Sequence, residues 1–184
     1  MLLNRKSVEL LAPAGTWDAL VAGVESGADA VYLGGKHFNM RMHEGGFNFD
    51  DAMLKQAIDY AHAHGVRLYV TLNNLISNEE IPALREYLAY LNEIRPDALL
   101  VQDFAVLELV HEMGITIPLH TSVMMNTHNE HAIEKLKEYG ITRIVVGREM
   151  TLSELSLFRE RTGIEVEYFM HGDMCISESG QCIH

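Results

Sequence analysis

The sequence predicts an α/β fold, a TIM-like (β/α) barrel that is incomplete, with about seven strands and six helices in 184 residues. Three observations carry that reading. One unit recurs along the chain: an amphipathic helical stretch ends at a glycine, and a short apolar run follows almost at once. The runs are continuously apolar, as at 30–33, 98–101 and 144–146, which suits parallel strands covered on both faces. Finally, nearly every run hands over to a polar residue or a glycine at its C-terminal end, where a barrel of this kind carries its chemistry.

Taken in order, Gly27 precedes AVYLGG, Gly65 precedes RLYVTL, Gly114 precedes ITIPLH, Gly140 precedes RIVVG and Gly163 precedes EVEYFMH. A glycine just past a helix end adopts the left-handed conformation without steric cost. Before DALLVQD, Pro96 supplies the punctuation instead of a glycine. Strands are expected near 8–11, 30–34, 67–72, 98–102, 117–121, 143–147 and 165–171, and helices near 17–26, 49–64, 79–92, 104–113, 129–139 and 152–162. Ser153 opens the last helix, with Thr151 as the other candidate cap. A complete barrel has eight units and about 250 residues. The chain therefore reads as one domain, 1–184, that stops before the last barrel unit. Without an eighth strand, the first and seventh strands present unpaired edges and an exposed apolar interior. Association with a second copy, or with a paired subunit, is expected there.

With 48% hydrophobic and 22% charged residues, the composition is that of a soluble globular chain. Fourteen basic against 26 acidic residues give a net charge of −12, the opposite of a nucleic-acid binder's basic footprint. No apolar run approaches the length of a membrane span, and the opening segment is too soon polar for a secretory signal. Two cysteines in such a chain read as thiols or metal ligands rather than a bridge, which points to the cytoplasm.

The strand ends deliver Gly34-Gly35, Asn73-Asn74, Gln102-Asp103, His120 with Ser122, Arg148-Glu149 and His171-Gly172-Asp173 to one face. Of these, His120, Arg148, Glu149 and His171 are the candidate catalytic residues. Arg148 suits a two-pronged hydrogen bond to a carboxylate, and equally an ion pair with Glu149. Several chemistries are excluded by inspection. His111-Glu112 lacks the second histidine of a zinc-protease helix, Gly34-Gly35-Lys36 lacks the upstream glycine of a P-loop, and neither G-x-S-x-G nor G-x-G-x-x-G occurs after a strand.

The sharpest local feature is the loop after the seventh strand, which holds Cys175 and Cys182. Soft thiolates at that spacing suit zinc or an iron–sulfur cluster, but two cysteines complete neither site. Glu167, Phe169, Gly172, Met174, Cys175, Gly180 and Cys182 match the signature of peptidase family U32, the collagenase-like proteins. ELLAPAGTWDAL, GADAVYLGGKHFNMR, YVTLNNL, VQDFAV, PLHTSVMMNTHN and VVGREMTLSEL resemble the family's other blocks, in the same order. Asp173 departs from the small residue usual there, and His184 from the usual aliphatic one.

This resemblance implies an enzyme module supporting iron–sulfur and prephenate-dependent hydroxylation of an RNA base, such as a tRNA wobble uridine, or of a similar substrate. It implies a [4Fe–4S] cluster in the full-length form, with Cys175 and Cys182 as two of four cysteine ligands. RNA as a partner follows from the resemblance alone. Two alternatives remain: the proteolysis that the family's label names, with Cys175 served by His171 or His120, and a non-catalytic subunit that binds a partner.

Overall fold

Strands that are neighbours in sequence and run parallel need a return of helix length between them, and each glycine-terminated helix supplies one. The computed structural model describes residues 8–172 and 174–181. Seven strands alternate with six helices: β1 Leu11–Pro13, α1 Trp17–Glu25, β2 Ala30–Gly34, α2 Asp51–Ala63, β3 Arg67–Leu72, α3 Ile81–Ile94, β4 Ala98–Val101, α4 Phe104–Glu112, β5 Leu119–Thr121, α5 Glu130–Glu138, β6 Ile141–Val145, α6 Leu152–Thr162 and β7 Glu165–Glu167. The strands form one parallel sheet in the order of the sequence, curved into a half-barrel with β1 and β7 at its edges. The first strand lies later than expected, and the seventh ends at Glu167, four residues short of His171.

Local signals set the helix boundaries. Thr16, Asp50, Asp103, Asn129 and Thr151 each accept a hydrogen bond from a backbone N–H in the first turn of the helix that follows. Thr151, not Ser153, caps α6, because Glu154 completes a reciprocal capping box with it. Gly27, Gly65, Gly114, Gly140 and Gly163 all have positive φ, as the punctuation required. Before Pro96 the same left-handed turn falls on Arg95, at φ 56°.

Period-2 alternation sorts the strand side chains onto two faces. On the convex face, Val31, Leu68, Val70, Leu99, Leu119 and Ile144 pack beneath helix residues such as Leu20, Leu54, Leu84 and Leu88, and this layer is the main core. The concave face holds a second, small cluster of Ala30, Tyr69, Ala98 and Leu100, bordered by Leu11 and Tyr32. One irregularity separates the two faces correctly. Between β5 and β6 the register shifts, so that Leu119 pairs with Ile141 but His120 pairs with Arg143. The extra residue, Thr142, lets Ile141 and Ile144 face the helices while Arg143 turns into the lumen.

Leu88 lies in the middle of α3 and is fully buried in the convex core. A Leu88→Ala variant should lose about 2–5 kcal/mol of stability, read as a lower midpoint of urea unfolding with an unchanged slope.

Candidate functional site

Beside its small apolar cluster, the concave face of the half-barrel carries a charged and polar group that the sequence reading did not foresee. Arg143 is its centre. Its guanidinium donates to Glu9 Oε1 at 2.5 Å and to Glu165 Oε2 at 2.9 Å, and sits 5.4 Å from the centroid of the Tyr69 ring. Glu9, just ahead of β1, also pairs with Arg67 and accepts from the Tyr69 hydroxyl at 2.9 Å. Burial works against the Arg143 charge, but the hydrogen bonds to Glu9 and Glu165 outweigh it and raise its pKa above the ordinary value.

His120 stands next in this group, with its ring edge-on to Tyr69 at 4.9 Å. It is 5% exposed, and among the described residues its Nδ1 has no hydrogen-bond partner. Burial, helped by the charges of Arg143 and Arg67, lowers its pKa to about 3, so the imidazole is neutral. Glu167, at the end of β7, is governed by the opposite balance. Burial and, more weakly, Glu9 raise its pKa to about 7, with Arg143 pulling it down. Its Oε2, 3.8 Å from Arg143 Nη1, and the Oε1 of Gln102, at the end of β4, are also buried without hydrogen-bond partners among the described residues. The lumen thus offers uncommitted hydrogen-bonding atoms from the ends of β4 and β5.

The strand-end rim above the lumen is partly structural. Asp103 caps α4 and accepts from the Ile76 N–H, while Asn73 accepts from the Met40 N–H and donates to the Ser122 hydroxyl at 3.4 Å. His171 lies beyond β7, exposed in a bend, whereas His120 is buried in the lumen. Arg148 and Glu149 do not form the ion pair considered above. Both instead hold the cysteine loop: Arg148 Nη2 donates to the Ser177 carbonyl at 2.6 Å, the Arg148 N–H to the Ser179 hydroxyl, and the Ser179 N–H to Glu149 Oε1 at 2.7 Å.

Cys175 is exposed and free of a disulfide, and hydrogen bonds from Ser177 lower the pKa of its thiol. Among the described residues, no three His, Cys, Asp or Glu side chains gather around one point as a metal site needs. Cys182 and Asp173 lie outside the described residues. Sequence reading found Gln102 at its strand end but missed Glu9, Arg143 and Glu167 as lumen residues. Glu167 was visible only as a signature position, and Arg143 would have needed the bulge.

Fold and rim together define a (β/α) half-barrel that presents a cysteine-bearing loop at the C-terminal ends of its strands. The chain belongs to peptidase family U32, whose model matches residues 15–184. It is 33% identical over 178 residues to the tRNA hydroxylation protein P1 of Bacillus subtilis, an alignment covering 97% of this chain and 42% of that protein. It is equally 33% identical to the 23S rRNA 5-hydroxycytidine C2501 synthase of Escherichia coli, over 99% of this chain and 27% of the relative. The chain therefore spans less than half the length of these relatives. In fold it is similar to the solved U32 peptidase Mk0906, with a TM-score of 0.73, 16% identity and coverage of 88% of this chain and 68% of that one.

The two perturbed lumen groups should shape stability in opposite directions. His120 titrates near 6.5 when unfolded and about 3 when folded, so its neutral burial is harmless above pH 6.5 and costs stability as the pH falls towards 3. Glu167 titrates near 4.5 when unfolded and about 7 when folded, so stability is lost as the pH rises from 4.5 to 7. In urea unfolding across pH 4–8, His120→Gln should flatten the acid limb and Glu167→Gln the neutral one; unaltered profiles would reject the assignment.

Proposed function

We propose that this chain is the barrel module of an enzyme that hydroxylates an RNA base, working in the cytoplasm with an iron–sulfur cluster whose ligands include Cys175 and Cys182. The observation that carries the reading is Cys175 itself: an exposed thiol, its pKa lowered by hydrogen bonds from Ser177, on a loop pinned to the strand-end rim by Arg148 and Glu149. Cysteine thiolates are the ligands iron–sulfur clusters use. When bound, such a cluster supplies electron transfer or Lewis-acid polarisation. The likeness to tRNA and rRNA hydroxylation proteins supplies the substrate class.

The chain's own residues would hold the substrate. Gln102 Oε1 and His120 Nδ1, which have no hydrogen-bond partner among the described residues, would bond the edge of a base or of a small co-substrate that reaches the lumen. Because His120 is neutral, it serves as a donor or acceptor without adding charge. On the same rim, the segment after β2 exposes Lys36, which pairs with Asp50, and Arg41. The backbone around Arg41 is fixed by bonds to Asn39 and Asn48, and among the described residues no carboxylate pairs with its guanidinium. Phosphates of an RNA strand fit there. The open edges of β1 and β7 are where a further strand, of this protein or of a second subunit, would pair.

Proteolysis finds less support, since the hydrogen bonds to Cys175 among the described residues come from Ser177, and His120 is buried in the lumen edge-on to Tyr69 while Cys175 is exposed. No described helix is long and apolar enough to cross a membrane.

The full-length protein, purified without oxygen, should contain iron and acid-labile sulfide, and Cys175→Ser or Cys182→Ser should lose both. In RNA from cells lacking the gene, nucleoside mass spectrometry should show one hydroxylated pyrimidine missing, restored by the wild-type gene and not by Cys175→Ser. An iron-free protein with intact cysteines, or an unchanged nucleoside profile, would overturn the reading. Arg41→Ala should weaken RNA binding without regard to sequence and reduce the salt slope by about one.

A further inference from the structure

The segment from Ser177 to Gly180 does not lie loosely on the rim. Ser179 is 2% exposed, and its hydroxyl accepts from the Arg148 N–H while its own N–H donates to Glu149 Oε1. Arg148 reaches past it to the Ser177 carbonyl. Two glycines make the fit possible. Gly147 has no room for a side chain: a Cβ there would meet Glu149 Oε2, His128 Cε1 at 2.8 Å and Ser179 Cβ at 3.3 Å. Gly180 has φ +80°, and a Cβ on it would fall 2.7 Å from Asn126 Cβ. Asn126 is itself left-handed, at φ 53°, and its Oδ1 is bonded to the His128 ring. The loops after β5 and β6 thus form a mould whose shape is complementary to this segment.

We propose that Glu149 and Arg148 are positioning residues, which seat the Ser177–Gly180 segment against the β5 and β6 loops and so fix where Cys175 is presented to a metal. The inference rests on the reading of Cys175 as a cluster ligand, and it assigns Glu149 no part in proton transfer. Its function is geometric: a carbonyl-type oxygen must accept the Ser179 N–H. A glutamine meets that need and an alanine does not. Groups that orient a ligand typically matter 10–100-fold in metal affinity when removed.

The experiment compares Glu149→Ala, Glu149→Gln and Gly180→Ala in the full-length protein, with two readouts. The first is the rate at which iron passes to a coloured chelator without oxygen. Glu149→Ala and Gly180→Ala should release iron at least about tenfold faster than wild type, and Glu149→Gln within about threefold of it. The second is cleavage at the exposed Glu178 by a glutamate-specific protease after the iron has been stripped. It should accelerate in the same two variants and not in Glu149→Gln. Wild-type iron release and wild-type cleavage in Glu149→Ala would overturn the seat. A role in proton transfer would instead leave both readouts unchanged and abolish turnover in Glu149→Ala and Glu149→Gln alike. A wild-type protein that holds no iron would refute the cluster reading alone, with the cleavage comparison still deciding the seat.

Discussion

A guanidinium inside a half-barrel must be neutralised and hydrogen-bonded, and that requirement on Arg143 governs the concave face. Its side chain is 10% exposed and draws in Glu9 from ahead of β1, Glu165 from β7 and the Tyr69 ring from β3. Contacts between strands so far apart in the sheet exist only if the sheet curves. The charge also reaches the two lumen groups with shifted pKa values: it helps to keep His120 neutral, and it partly offsets the burial that favours protonated Glu167. Curvature and lumen chemistry therefore share one origin.

Stability comes mainly from the other face. The helices cover the convex side with fully buried leucines, and this layer would be apolar in any parallel sheet of this kind. The division leaves the concave side free to carry charge, and the bulge at Thr142 keeps the two sides from mixing. Had β6 run without it, the alternation that buries Ile141 beneath the helices would have placed Arg143 there as well.

The architecture was readable because its signals are local. Glycine punctuation and unbroken apolar runs located all seven strands and six helices, and the positive φ values at Gly27, Gly65, Gly114, Gly140 and Gly163 follow from that punctuation. The lumen was not readable, because its members are brought together by register. A one-residue bulge leaves no mark in a pattern of apolar residues, and Glu9 lies 134 positions from Arg143. The rim was half readable. Arg148 and Glu149 were found by position, but a polar pair at a strand end looks the same whether it meets a substrate or a neighbouring loop. Only Ser177 and Ser179, which carry no chemical signature, show which. His171 was placed on an apolar strand that in fact ends at Glu167.

The Glu9–Arg143 bond has a meaning for the order in which the protein forms. Every strand pairing in the sheet joins sequence neighbours, so the βα units can add one at a time as the chain emerges. The bond between Glu9 and Arg143 is different, since it spans 134 residues and cannot exist until β6 has been made. Until then the only Glu9 contacts across the lumen are those to Arg67 and Tyr69, which reach no further than β3. The tie from the start of the sheet to β6 is thus a late event, added after the neighbouring strands have already paired.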